Sequence, residues 1–172
     1  MKLNSIQSLL LLSIFVLGSV MQSEQAPVQR KLTTMQKSKL KKELAGMAAG
    51  KTKMRIVCPV SDENDDSCSY ALDFAEVFSE AGWNIEGWTA SKRVTQVRFL
   101  GHLQPGTFFM VSADDVAKKT VPADALRVLA LLQANRIPVT YQSSDDVARG
   151  MFELRVLFSP DYTPPMQYYP QR

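Results

Sequence analysis

The run Thr107-Phe108-Phe109-Met110-Val111 constrains the architecture of this chain more than any other. It is apolar at consecutive positions, so both sides of a strand built from it must be covered. A strand covered on both sides is typical of a mainly parallel sheet with helices packed against it. We therefore expect Phe108 to Val111 to form a central strand that lies between helices.

Strand patterns lie on both sides of this run. Residues 54–60 are rich in β-branched side chains, and residues 152–158 alternate apolar with charged residues. The alternation predicts a last strand with one buried face, near an edge of the sheet. Further strand candidates lie at 84–88, 94–99 and 138–141.

Three helices are predicted between these strands. The first, at about 34–48, has Thr33 or Thr34 as its N-cap, and the second, at 67–81, ends at Gly82 with Trp83 packing back over its last turn. The third begins after Pro122 and extends to about residue 135. Its expected buried seam is Leu126, Leu129 and Leu132.

The order of these elements predicts an α/β fold. We expect a three-layer sandwich around a mainly parallel sheet of four or five strands, since strand–helix–strand units give parallel pairs. The alternative is a ferredoxin-like α+β plait, which shares much of the element order. A plait would leave one sheet face open, which the apolar run at 107–111 disfavours.

The composition bounds the domain organisation and the chemistry. With 172 residues, 45% hydrophobic and 22% charged, the chain is sufficient for one globular domain, predicted at 54–158 and followed by a Pro/Tyr-rich tail at 159–172. Two cysteines and one histidine do not fill the ligand set of a zinc ribbon. The lone histidine, His102, has no Gly-x-Ser-x-Gly elbow to pair with, so no catalytic residue, metal or cofactor is assigned.

Residues 1–23 are predicted to form an N-terminal leader that directs the chain to a membrane. The apolar run at 9–21 is shorter than the about 20 residues that span a bilayer, which is typical of a cleaved signal peptide and an exported or cell-envelope protein. The basic residues that follow it favour the alternative, a single-pass anchor with a cytoplasmic domain.

A basic linker with an amphipathic helix is predicted at 24–53. Residues 27–53 carry eight basic side chains against one acidic side chain, whereas 54–172 carry 11 basic and 15 acidic ones. This basic arm, residues 30–53, either presents a solvated helix face or contacts an anionic surface such as lipid. Nucleic acid is not expected as a partner, because no aromatic residues lie among the lysines. The candidate surface contacts are Lys37, Lys39, Lys41 and Lys42.

An acidic loop follows the first strand. It contains Asp62, Asp65 and Asp66 and has no glycine, which excludes a phosphate cradle. Acidic residues at this position cap the following helix and interact favourably with its dipole. The alternative is a divalent cation bound by the three aspartates.

Two cysteines flank this loop. Cys58 ends the first strand and Cys68 begins the next helix, so the chain can bring them together. If the protein is exported, they are candidates for a disulfide that closes a ten-residue segment. In the cytoplasm they would be two thiols.

The domain from about residue 32 to 160 resembles the C-terminal domain of small, uncharacterised, membrane-anchored bacterial proteins. The resemblance is carried by Leu32-Thr33-Thr34-Met35-Gln36, by residues 71–75, by Ala81-Gly82-Trp83-Asn84-Ile85 and by Gly106. It implies a fold and a membrane-proximal setting, and no mechanism.

These observations favour a non-enzymatic α/β interaction or sensing module at the cell envelope. Its expected contacts are the membrane, through the leader, and a protein partner that the sequence does not identify. One alternative is a lipid- or nucleic-acid-associating protein that acts through residues 30–53. A second is a divalent-cation-dependent enzyme that uses the loop at 62–66.

Overall fold

A computed structural model describes residues 30–47, 52–59, 66–87, 95–97 and 104–160. The leader and most of the acidic loop and the tail lie outside these residues. The described residues form four helices and five strands. In chain order they are α1 (Thr34–Ala45), β1 (Lys53–Pro59), α2 (Ser67–Glu80), β2 (Thr95–Val97), β3 (Thr107–Ser112), α3 (Ala113–Lys118), α4 (Ala123–Ala134), β4 (Thr140–Ser144) and β5 (Met151–Val156).

The strands form one mixed, mostly parallel sheet in the order β2-β1-β5-β3-β4. β1 pairs in parallel with both β2 and β5, and β3 pairs in parallel with β4. Only the pair between β3 and β5 is antiparallel. The predicted α/β class with a mainly parallel sheet is therefore confirmed over the ferredoxin-like plait.

One face of the sheet carries the main apolar core. Alternate residues of the strands point to this face, as the two-residue repeat of a strand requires. The same core receives buried side chains from α1, α2 and α4. Its fully buried members include Leu40, Leu44, Met54, Ile56, Phe74, Phe78, Phe109, Leu132, Phe152 and Leu154.

The opposite face of β3 is also covered. All six residues of β3 are buried, as its apolar run predicted. On this face Phe108 and Met110 form a small cluster with Val147 and Leu157. The cluster consists of strand and loop residues, so within the described segments α1, α2 and α4 lie on the main-core side only.

The expectation that the last strand lies near an edge is wrong. β5 lies between β1 and β3, and Glu153 on its second face is only 1% exposed. The side chain of Glu153 is paired with Arg55 and with Arg155. Alternating charge usually indicates a solvent-facing surface, but here charges of opposite sign neutralise one another inside the fold.

The buried seam of α4 also differs from the prediction. Leu126 is 47% exposed, whereas Ala125, Val128 and Leu132 face the core. A leucine count alone did not fix the rotation of this short helix, because Ala and Val supply part of its apolar stripe. The short helix α3, which directly follows β3, was not predicted.

The start of α1 and the end of α2 follow the sequence signals. The Thr33 hydroxyl accepts from Gln36 N at 3.2 Å, and the Gln36 side chain accepts from Thr33 N at 2.9 Å, which is a capping box. Gly82 adopts φ = 82° after α2, a conformation that favours glycine. Trp83 packs against Phe78, and its Nε1 donates to the Leu44 carbonyl at 3.2 Å.

The helix α1 is part of the same folded unit as the sheet. Leu40 and Leu44 belong to the main core, although the sequence placed them in the segment before the domain. Within the described residues, no helix has the length and apolar character needed to cross a bilayer.

Candidate ligand cleft beside Arg30

Arg30 lies at the centre of a network that ties the start of the described chain to the sheet. Its Nε and Nη2 donate to Asp66 Oδ1 at 3.0 and 2.7 Å, and Nη2 also donates to the Leu157 carbonyl at 2.6 Å. The backbone N of Arg30 donates to the other oxygen of Asp66. Nη1 is buried and has no hydrogen-bond partner among the described residues. Arg30 is therefore held rigidly while part of its donor capacity stays unused.

Tyr70 packs beneath this guanidinium. The Arg30 Cζ lies 5.4 Å from the centroid of the Tyr70 ring, within the range of a cation–π contact. Burial raises the pKa of Tyr70 to about 12, against the lowering effect of the Arg30 charge and with smaller raising effects from Asp73 and Asp66. The Tyr70 phenol thus stays protonated at physiological pH and offers a neutral hydroxyl.

The segment that follows Arg30 is fixed at two further points. Leu32 N donates to Asp73 Oδ2 at 2.9 Å, which attaches the segment to α2. Gln36 Nε2 donates to the Asn135 carbonyl at 3.2 Å, which attaches it to the end of α4. Residues 30–36 therefore form a fixed wall rather than a free arm.

A cleft of about 490 Å³ lies between this wall and the sheet. We call it the Arg30 cleft. Its size is within the range of small-ligand sites in proteins. It is lined by Arg30, Lys31, Gln36, Tyr70, Gly106, Thr107, Ile137, Pro138, Val139, Thr140 and Pro160.

The sheet topology explains why the cleft forms here. The antiparallel contact between β3 and β5 brings the amino end of β3 beside the carboxyl end of β5, where Thr107 pairs with Val156. Gly106 extends this contact, since its N donates to the Phe158 carbonyl at 2.9 Å and its carbonyl accepts from Leu157 N at 2.8 Å. The cleft therefore lies where the antiparallel pair of β3 and β5 meets the parallel pair of β3 and β4.

The structure assigns Asp66 a different role from both predictions for the acidic loop. Asp66 is at the N-cap of α2, yet its side chain makes no capping hydrogen bond and binds Arg30 instead. The prediction that the Asp66 side chain caps α2 is wrong, because both of its carboxylate oxygens accept hydrogen bonds from Arg30 instead. Asp62 and Asp65 lie outside the described residues. Within those residues, no cluster of three His, Cys, Asp or Glu side chains could hold a metal ion.

The two cysteines are joined. The structure places a disulfide between Cys58 and Cys68, with their Cα atoms 5.2 Å apart. Cys58 is fully buried in the main core, and Cys68 lies in the first turn of α2. The disulfide therefore fastens α2 to the carboxyl end of β1 next to Asp66.

The four candidate surface lysines divide into two pairs. Lys37 lies within ion-pair distance of Asp73 and, at 3.6 Å, of Glu76. The hydrogen bond that Lys37 Nζ donates to Asp73 raises the pKa of Lys37, against the lowering effect of burial. Lys41 pairs with Glu80 at 2.8 Å. Lys39 and Lys42 are exposed.

A second group of charges lies on the other face of the sheet. Arg55 and Arg155 both pair with Glu153, and Arg155 Nη2 also pairs with Asp146 at 2.9 Å. Burial would raise the pKa of Asp146, but the hydrogen bonds from Arg155 and Ser144 outweigh it and lower the pKa. The two positive and two negative charges balance, so we assign this group to the stability of the sheet.

Sequence reasoning did not find the Arg30 cleft. The sequence marks Arg30 only as one charge of a basic arm, and no pattern in it singles out Tyr70. The residues that contact Arg30 lie 36 and 127 positions away in the chain, and no local spacing connects such positions. The available signals were Gly106 and the proline at 138, which are common where strands begin.

The fold and the cleft together define an α/β domain with a partly basic cleft at one end of its sheet. No family model, curated protein or solved structure matches this chain. A functional argument therefore depends on the geometry of the cleft and on the signals in the sequence.

Proposed function

We propose that the protein is a non-enzymatic interaction or sensing module of the cell envelope, and that its partner binds in the Arg30 cleft. The observation that carries the proposal is the placement of Arg30. Its guanidinium is fixed by Asp66 and packs on Tyr70, and the residue lines a cleft of about 490 Å³. Fixed polar groups in an otherwise apolar cleft are typical of ligand sites.

The charges that line the cleft favour an anionic group on the partner. Arg30 and Lys31 supply two positive charges, and Asp66 neutralises one of them. The Tyr70 hydroxyl adds a neutral partner for hydrogen bonding. A carboxylate or a similar anion would complete this set.

The envelope setting is supported by the predicted leader, by the resemblance to membrane-anchored bacterial proteins and by the disulfide. Disulfides persist in oxidising compartments such as the periplasm and are rare in the cytosol. The disulfide is connected to the cleft through Asp66, which lies two residues before Cys68 and binds Arg30.

The basic arm is the weaker candidate for partner binding. Lys37 and Lys41 are engaged with carboxylates of α2, so they stabilise the packing of α1 against α2. Lys39 and Lys42 are two charges on a short helix, and each would contribute about 1 kcal/mol at an anionic membrane.

Photo-cross-linking in cells tests the proposal. The full chain is expressed with Lys31→p-benzoylphenylalanine at the rim of the cleft, and Lys39→p-benzoylphenylalanine serves as the control on the exposed face of α1. We expect a discrete adduct from position 31 and none from position 39. Equal labelling at both positions, or no adduct at position 31, would contradict a partner in the cleft.

A further inference from the structure

β4 is an exposed edge strand that continues directly from the Arg30 cleft. It is the last strand of the sheet order, and β3 is its only strand partner among the described residues. Four of its five residues are exposed, and Tyr141 is 40% exposed. In a parallel pair about half of the backbone N–H and C=O groups of an edge strand point away from its neighbour.

The sequence of β4 does not protect this edge. Edge strands usually avoid pairing with other chains through charged residues, prolines, bulges or very short length. The other edge strand, β2, is three residues long, which is a protection of this kind. β4 has five residues, Thr-Tyr-Gln-Ser-Ser, with no charge and no proline.

The cleft and the edge are continuous. Ile137, Pro138 and Val139 line the cleft, and Thr140 both lines the cleft and begins β4. A chain lying along β4 therefore leads into the cleft at the amino end of the strand. The charges of Arg30 and Lys31 lie at that end.

We propose that β4 and the Arg30 cleft together bind the carboxyl-terminal segment of a partner polypeptide, which adds to β4 as an antiparallel strand with its terminal carboxylate beside Arg30 and Lys31. This inference rests on the proposed function and names the chemical class of the partner. The antiparallel direction follows because a carboxyl terminus at the amino end of β4 requires the two strands to run in opposite directions. Main-chain hydrogen bonds supply affinity in such strand addition, and the carboxylate supplies orientation.

The first experiment uses a pool of random nonapeptides with free carboxyl termini and the same pool with carboxyl-terminal amides. Each pool is passed over the immobilised full chain, and retained peptides are identified by mass spectrometry. We expect enrichment from the free-acid pool, and about tenfold weaker binding of an enriched peptide once it is amidated, because one charge-assisted contact is lost. Equal retention of both pools, or enrichment from neither, would overturn the inference.

Hydrogen exchange then tests the position of the enriched peptide. We expect added protection at alternate amides within 140–144 and none in β1, which is an interior strand. Peptides that are N-methylated at odd positions and peptides that are N-methylated at even positions should differ in affinity, because only alternate N–H groups of an added strand face β4. Loss of binding with both, or with neither, would contradict strand addition.

A matched pair of variants tests whether the charge of Lys31 contributes to peptide binding, independently of any effect on folding. Lys31→Ala should weaken the peptide several-fold, whereas Lys39→Ala, the same change on exposed α1, should leave its affinity unchanged. If the chain self-associates and Gln142→Pro abolishes that self-association, then β4 pairs with a second copy of the chain. This result would overturn the inference. An adduct at position 31 in cells without peptide enrichment would remove this inference and leave the proposed function in place.

Discussion

The two faces of the sheet differ in what is buried, although adjacent residues of the same strand supply both. One face carries the main apolar core, and the other combines a small apolar cluster under β3 with the ion pairs of Glu153. Phe152 points to the helix-bearing face, where it stacks on Phe109 with ring centroids 4.9 Å apart. Glu153, the next residue, points to the other face and pairs with Arg55 and Arg155. Burial in this protein therefore does not require apolar side chains, provided that buried charges are paired.

The largest effect is expected on the helix-bearing face. Phe152→Ala removes a fully buried ring that packs on Phe109 and Trp83, and it leaves a cavity in the main core. We expect a loss of about 3–5 kcal/mol in the free energy of unfolding. Urea denaturation followed by circular dichroism measures it, and a loss below about 1 kcal/mol would mean that Phe152 does not pack as described.

A smaller effect is expected on the charged face. Glu153→Gln keeps the shape of the side chain but leaves two arginines without their shared carboxylate. We expect a loss of about 2–3 kcal/mol, reduced because the Arg55 side chain is one-third exposed.

A double-mutant cycle with Arg55→Met provides the control for Glu153. If Glu153 and Arg55 interact directly, Glu153→Gln should lower the free energy of unfolding by less when Arg55 is already replaced. Additive effects would show that Glu153 acts through other contacts.

The disulfide adds a covalent link to the helix-bearing face. Reduction of the Cys58–Cys68 bond, which spans ten residues, should cost about 2–3 kcal/mol through the greater freedom of the unfolded chain. Thermal unfolding with and without dithiothreitol measures the cost. The Cys58→Ala/Cys68→Ala variant is the control, and a dithiothreitol effect of equal size in this variant would show that the bond is not its cause.

The smallest effect is expected at the rim of the charged face. The Asp146 side chain is 63% exposed, so Asp146→Asn should cost about 0.5 kcal/mol or less at neutral pH. Because the folded pKa of Asp146 lies below its ordinary value of 3.8, the contribution of the pair is present above that pH and is lost as the pH falls through the folded pKa. The stabilities of the two proteins should therefore converge in acid, and a difference that grows as the pH falls would contradict the pairing.

The same comparison shows what the sequence could and could not predict. The segments that bury apolar residues on the helix-bearing face were found, since residues such as Phe74 and Phe78 recur at helical spacing. The place of β5 was not found, because an alternating Glu153 and Arg155 have the same pattern on an exposed face as in a buried ion pair. Only the partner, Arg55 on a distant strand, distinguishes the two.

The cleft was beyond sequence reasoning for a related reason. The Arg30 cleft is assembled from the segment before α1, from α2, from the amino ends of β3 and β4 and from residue 160. The order of the strands decides which of these segments meet, and that order depends on β5 inserting between β1 and β3. Once β5 was placed at an edge, the cleft could not be inferred.

The proposed setting of this domain is the cell envelope, with the disulfide between Cys58 and Cys68 closed. It is tested most directly by fractionating cells that express the full chain, measuring the intact mass of the protein and counting its free thiols. We expect a chain in the envelope fraction with no free thiol at Cys58 or Cys68. A full-length chain in the cytosolic fraction with two free thiols would contradict it.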